Sequence, residues 1–225
     1  MLLCLVGSEM CIRDRSKSGE RGIFNREASK KQAEKYGRRD PNYEFGTNPC
    51  SEIILRPYQF CNLTEVVVRA TDTYDDLKRK VKVATILGTI QSSYTRFPYL
   101  RKVWQKNTEE ERLLGVSLTG IMDNPLMTAV NSKLEKTLDD LRNVALATNH
   151  EYADLLGIPQ SAAITCVKPS GTVSQLVDSA SGIHARHSPY YIRTVRGDNK
   201  DPLTQFMIDQ KVPNEPCVFC LLYTS

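Results

Sequence analysis

With 225 residues, 40% hydrophobic and 25% charged, the chain has the length and balance of one large soluble domain or two small ones. Its net charge of +4 suits a small anionic substrate, and the densest basic run, residues 30–39, is broken by Glu34, so no nucleic-acid partner is expected. No apolar run approaches the roughly 20 residues of a membrane span, and no membrane partner is expected.

The N-terminal stretch LLCLV (2–6) is shorter than the apolar core of a signal peptide, about 7 to 15 residues, and no basic residue precedes it. The expected compartment is therefore the reducing cytoplasm, where seven cysteines point to redox or metal chemistry before structural disulfides. Residues 1–16 and 219–225 join no periodic pattern and resemble translated sequencing-adapter read-through, so the expected domain is residues 17–218. On this reading the C-x-x-C spelling of Cys217 and Cys220 is accidental, and Cys50, Cys61, Cys166 and Cys217 are the cysteines that count.

In chain order, a polar helix is predicted over 26–37, then a loop broken by Pro41, Gly46 and Pro49. The β-prone run 66–70 precedes a helix over about 75–94, capped by Asp72 or Thr73, with Leu77, Val81, Ala84, Leu87 and Gln91 on one face. Residues 113–121 read as a buried strand. A long helix over 132–156 carries Leu134, Leu138, Leu141, Ala145, Tyr152 and Leu156 on one face and ends at Gly157. Strand 162–167, a tight turn at KPSGT, a short helix from Val173, strand 190–196 and helix 201–210 complete the pattern. Strands alternating with helices imply an α/β fold with parallel pairing.

Two stretches carry chemistry. In TNPCSEI (47–53), Asn48, Cys50 and Glu52 occupy alternate positions, which an extended backbone places on one side. Pro49 pushes Asn48 toward that extended geometry. An amide, a thiol and a base would then share a small volume, although a structural cysteine with two incidental polar neighbours has the same spelling. Cys61 follows Cys50 by eleven residues. In TCVKPSGTVSQL (165–176), Pro169, Ser170, Gly171 and Thr172 lie between a strand and a helix, where backbone N–H groups and hydroxyls can bind phosphate. The same residues also make a generic turn and cap. His184 and His187 are too few to suggest zinc, so no metal site is expected. Cys166 reads as a core residue of its strand, and Trp104 with its neighbouring aromatics as packing.

NPCSEI with FCNL resembles the active-site finger loop of the ribonucleotide reductases, and the short Cys50–Cys61 interval resembles the adenosylcobalamin-dependent class. ERLLGVSLTGIMD, KPSGTVSQLVDSASGIHARHSPYYIRTVR and DPLTQFMIDQKVP extend the resemblance in the same order along about 200 residues. Glycine at 171, where the oxygen-dependent class usually carries glutamate, favours the cobalamin class.

The resemblance implies part of a ten-stranded α/β barrel and the reduction of ribonucleotides, with triphosphates favoured, to 2′-deoxyribonucleotides. It implies adenosylcobalamin as cofactor and a dithiol or thioredoxin-like reductant as partner. It assigns Cys50 as the radical thiol, Glu52 as the base at the 3′-hydroxyl, Asn48 as the holder of the ribose hydroxyls, and Cys61 as one of two reducing thiols. Residues 169–172 become the substrate-phosphate loop. The second reducing thiol would come from outside this chain, so the isolated chain is expected to be inactive. The alternatives are an oxygen-dependent large subunit, against which the cysteine interval argues, and a non-catalytic nucleotide-binding module, which would need no radical thiol. A thiol–disulfide protein built on Cys217 and Cys220 is a third, and it fails if Cys220 is foreign.

Overall fold

The computed structural model describes residues 24–35, 37–192 and 194–216. The proposed foreign tails, along with Cys217 and Cys220, lie outside these. The chain divides into two compact units, the first ending at Arg186 and the second beginning at His187.

The first unit is organised around one parallel strand pair. Strand β3 (Asn62–Val67) pairs with β4 (Leu114–Thr119), running from Asn62 opposite Leu114 to Val67 opposite Thr119. The connection between them holds α2 (Tyr74–Gln91) and α3 (Lys102–Glu111). Upstream lie α1 (Arg26–Glu34) and a hairpin of β1 (Gly46–Thr47) and β2 (Ile54–Leu55), paired antiparallel. Downstream come a short α4 (Pro125–Thr128), the long α5 (Ser132–Leu156) and the one-turn α6 (Thr172–Leu176). The second unit contains α7 (Pro202–Asp209), which starts with Asp201 capping Leu203 N–H and proline in its first turn, as the sequence predicts.

One face of the sheet is apolar and meets α2. Val66, Leu114 and Val116 pack with Leu77, Val81 and Ala84 of α2 and with Leu141 and Ala145 of α5. Helix α2 opens with a full capping box, Thr73 and Asp76 satisfying each other's backbone N–H. Its buried face continues through Thr85, Gly88 and Thr89, while Leu87 is 58% exposed, so the predicted Leu87–Gln91 continuation is wrong. The cause is close approach. A side chain at Gly88 would begin 3.2 Å from Leu114 Cδ2, so the buried face continues through a position that leaves room for the sheet. Helix α5 has the predicted limits, set by Asn131 at its start and a left-handed Gly157 at its end. Its buried stripe runs through Thr148, Asn149 and Ala153, leaving Leu138 and Leu156 partly exposed. Asn149 is satisfied there by donating to Thr89 and Ser161 and accepting from Ser161 N–H.

Three expected strands change. The run predicted at 66–70 pairs over 62–67. Residues 162–167 form a single parallel bridge, Val116 with Thr165, although Leu114 and Val116 N–H also donate to Ala163 and Ile164 carbonyls. Among the described residues 190–196 form no strand, and Tyr190, Ile192 and Val195 are exposed without a neighbouring strand to pair. The observed architecture is thus mixed α/β with two-stranded sheets among the described residues.

Candidate active site

The Asn48–Glu52 stretch is the tip of the β1–β2 hairpin. Pro49 and Cys50 occupy the middle of a turn closed by Ser51 N–H donating to Asn48 O at 3.0 Å, and Ser51 takes the left-handed conformation with φ 62°. Asn48 Oδ1 accepts from Ile53 N–H at 3.0 Å, which locks the two arms of the tip together. The trio is therefore not on one extended strand. Alternation fails because a turn intervenes, sending Cys50 to the surface while Glu52 folds back. Glu52 Oε2 is buried and has no hydrogen-bond partner among the described residues. It borders a cavity of about 210 Å³ shared with Arg39, Ile53, Leu113 and Thr165.

The hairpin is fixed at its base by buried charge. Arg39 makes a bidentate pair with Glu111 of α3, its Nη2 lying 2.8 Å from Glu111 Oε2, and donates through Nη1 to Ile54 O in β2 at 2.8 Å. Gln59 Nε2 donates to the same carboxylate, and Arg56 adds Glu110 and Asn107. The guanidinium of Arg56 also stacks 3.7 Å over the Tyr43 ring. Phe60 stacks on Trp104 at 4.7 Å and meets Phe97 edge-on, as packing requires, whereas Tyr94 and Tyr99 are 73% and 96% exposed, so the packing expectation fails for those two. At its tip side the hairpin leans on the sheet through buried Ile53. Ile53 Cδ1 lies 3.2 Å from where a Gly115 side chain would begin, with Leu63 and the Cys166 sulfur around the same point. Gly115 makes room for the docked hairpin.

The sheet face turned toward the hairpin is the polar one. Period-two alternation places Cys61, Leu63 and Glu65 on it, opposite the Val66 face, together with Gly115, Ser117 and Thr119 of β4. Cys61 and Cys166 interact electrostatically with each other, and both feel Glu52. Burial, followed by that mutual repulsion, pushes the Cys61 thiol up to about 12, with Arg39 opposing. Burial and the Glu52 charge raise Cys166 to about 12 as well. Cys166 is thus a member of the site face rather than of the apolar core. Its place in a short apolar run gave no sign of that.

The KPSGT segment lies beyond the same face. Lys168 N–H donates to Ser117 Oγ at 3.2 Å, and Ser170 Oγ donates to Glu65 Oε2 at 3.1 Å. Ser170 is buried, whereas Pro169, Gly171 and Thr172 are exposed. Behind the loop, Thr119 Oγ1 donates to Ala180 O and accepts from Gly182 N–H. Arg186 clamps Asp123 and Asp178. Burial is the largest single influence on the Asp123 carboxyl and raises it, but the Arg186 pairing and the Ala180 N–H together outweigh it and leave the group below the usual range. His184 is exposed in the first unit and His187 opens the second; the described residues hold no cluster of metal-ligating side chains.

Glu52, Cys61 and Cys166 are thus brought together, with Glu65 connecting them to the loop. Cys50 stands apart at the tip. Sequence reasoning missed Glu65, Arg39 and Gly115. A glutamate inside the β-branched run NLTEVVV is the one signal that marks Glu65.

No family model matches the chain. Relatives and a solved structure nevertheless agree on one class: over most of its length the chain is homologous to adenosylcobalamin-dependent ribonucleotide reductases, as its motifs imply. It is 30% identical over 234 residues to the adenosylcobalamin-dependent ribonucleoside-triphosphate reductase of Lactobacillus gasseri, covering 90% of this chain and 30% of that protein. It is 31% identical over 222 residues to the enzyme of the same name from Lacticaseibacillus paracasei, covering 84% and 28%. The crystal structure of a B12-dependent (class II) ribonucleotide reductase superimposes with a TM-score of 0.61 at 25% identity, covering 80% of this chain and 28% of the other. The chain spans about 30% of the length of the curated relatives it matches.

Proposed function

We propose that residues 17–218 are the catalytic segment of an adenosylcobalamin-dependent ribonucleotide reductase acting in the cytoplasm, part of a ten-stranded α/β barrel, with 1–16 and 219–225 foreign to it. The observation that carries the proposal is the pairing of an exposed thiol at a locked hairpin tip with a buried, unpartnered carboxylate oxygen two residues later, above a face bearing Cys61. A general base must sit within hydrogen-bond reach of its proton, and among the described residues no donor occupies Glu52 Oε2.

The residues fit a radical-generating cofactor, because Cys50 offers its S–H bond where a bulky group can approach. Bound there, adenosylcobalamin would supply the 5′-deoxyadenosyl radical that takes the Cys50 hydrogen. The Cys50 sulfur then removes the ribose 3′-hydrogen of the substrate. Glu52 takes the 3′-hydroxyl proton while a reducing thiol protonates the 2′-hydroxyl, which leaves as water. Asn48 spends its Oδ1 on the hairpin, so it meets the ribose hydroxyls through its amide N–H groups. Cys61, held protonated by its surroundings, supplies a reducing hydrogen and pairs with a second cysteine upstream of this segment. Pro169, Ser170, Gly171 and Thr172 form the phosphate loop for a ribonucleoside triphosphate, and a dithiol or thioredoxin-like protein reloads the cysteines. The isolated chain, with one matched reducing thiol, is inactive.

The test is exchange of tritium from 3′-labelled ribonucleotide by the intact reductase carrying this segment, given adenosylcobalamin. Release that depends on the cofactor and on Cys50 supports the reading. Release undiminished in Cys50→Ser overturns it.

A further inference from the structure

Among the described residues, Glu65 is a half-buried carboxylate on the site face that the reaction above does not use. Its two oxygens are treated differently. Oε2 accepts the Ser170 hydroxyl at 3.1 Å, while Oε1 is buried without a hydrogen-bond partner among the described residues. A pure fold strut has no need of the second oxygen, since burying an acceptor without a donor destabilises the folded state.

The other end of that hydrogen bond is as telling. A serine hydroxyl has one proton to donate. Ser170 gives it to Glu65 and, being 2% exposed, does not face outward. Its carbonyl meanwhile receives the hydroxyls of Ser174 and Ser181. Ser170 is therefore the anchor of the loop and not its outward-facing donor. The loop is tied to the sheet twice, by Lys168 N–H on Ser117 of β4 and by Ser170 on Glu65 of β3, and Gly171 and Thr172 follow the second tie directly, exposed. Direct contact of Glu65 with phosphate is the poorer alternative, because two anions would then meet in a low-dielectric site.

We infer that Glu65 is a positioning residue for nucleotide binding: by taking the Ser170 proton it pins the loop to β3 and presents Gly171 and Thr172 to the substrate phosphates. The inference rests on the reading of residues 169–172 as the phosphate loop. It assigns no bond-making role to Glu65, so its loss acts on KM and leaves kcat alone.

The experiment compares Glu65→Ala, Glu65→Gln, Ser170→Ala and Thr172→Ala in the intact reductase, measuring KM and kcat for a ribonucleoside triphosphate and the melting temperature. Glu65→Ala and Ser170→Ala should each raise KM about tenfold, the size of one lost charge-assisted hydrogen bond, with kcat within about twofold of the parent. Glu65→Gln keeps an acceptor for Ser170 and should restore KM to within about threefold. A KM unmoved by Glu65→Ala while Thr172→Ala raises it overturns the role of Glu65 and leaves the loop reading standing. No KM change in any of the four sinks the loop reading itself. A fall in kcat at constant KM would place Glu65 in the chemistry and overturn positioning. If Glu65→Ala does not fold, Ser170→Ala and Glu65→Gln decide: the first must raise KM and the second must spare it.

Discussion

The hairpin tip and the sheet face behind it hold thiols in opposite conditions. Cys50 is exposed, on a turn locked by Asn48 and Ser51. Cys61 and Cys166 are half-buried, the Cys166 sulfur beside Gly115, and their surroundings push both up to about 12. A thiol that must be reached by a large partner needs the first condition. A thiol that must still carry its hydrogen when substrate arrives gains from the second, because only the protonated form has one to give. The contrast is built by two devices: a tight turn that lifts Cys50 away, and a glycine in β4 that lets the rest of the hairpin sink onto the sheet.

The most severe way to break the contrast is to remove the exposed thiol. Cys50→Ser in the intact reductase should abolish deoxyribonucleotide formation, since a hydroxyl is a far poorer hydrogen donor, while nucleotide binding survives at the separate loop. Near-normal product formation would end the assignment. Cys61→Ser tests the other side: repeated turnover should stop, yet tritium exchange from 3′-labelled substrate should persist. Complete loss of exchange in a folded variant would contradict its role as reductant. Glu52→Gln lies between them, and loss of a positioned base should lower kcat about 10²- to 10⁴-fold with little change in substrate binding.

The base of the hairpin offers a structural test of the same contrast. Arg39 and Glu111 are both almost completely buried, with side-chain exposures of 5% and 7%. Arg39→Leu strands the Glu111 carboxylate, a change that typically costs about 3–5 kcal/mol. The lower end is expected because Arg56 Nη1 already lies 3.9 Å from Glu111 Oε1. Chemical denaturation of parent and variant would measure it, and a loss below about 1 kcal/mol, the level of an exposed pair, would show that the network does not hold the hairpin.

What the sequence made legible follows from which signals are local. A left-handed glycine fixes a helix end within a few residues, so the end of α5 was readable from Gly157, and the Asn131 cap at its start is what the structure adds. Helix α3 was not readable, because the residues it buries are Asn107, Thr108 and Glu111, and a polar buried face has no apolar period. Residues 190–196 have strand composition, but composition cannot supply a partner strand. In the site, the identities of Asn48, Cys50, Glu52 and Cys61 were legible and their geometry was not. Alternation assumes an extended chain, whereas Pro49 and a left-handed Ser51 make a turn. Glu65 and Cys166 join the site only through pairing of β3 with β4 and the bridge at Thr165, contacts between residues about 50 positions apart.

The mildest probe reads the contrast without substrate. Alkylation consumes thiolate, so a thiol raised from 9.0 to about 12 has roughly a thousandfold less of the reactive form at pH 8. The more basic thiolate is intrinsically the better nucleophile, which returns about thirtyfold of that loss. Cys61 and Cys166 should therefore react with iodoacetamide about thirtyfold more slowly in the folded protein than in the same protein denatured, and after exposed Cys50. The sign of the pH effect on stability follows from the same shift. The folded state holds these two protons more tightly than the unfolded chain, so their contribution is complete below pH 9 and is lost progressively as pH rises from about 9 to about 12. Peptide mapping at timed intervals measures the first effect, and denaturation midpoints across that alkaline window measure the second. Equal rates for Cys61 in folded and denatured protein would mean that the sheet face is as open as the tip, and the division of labour between the two regions would fall with it.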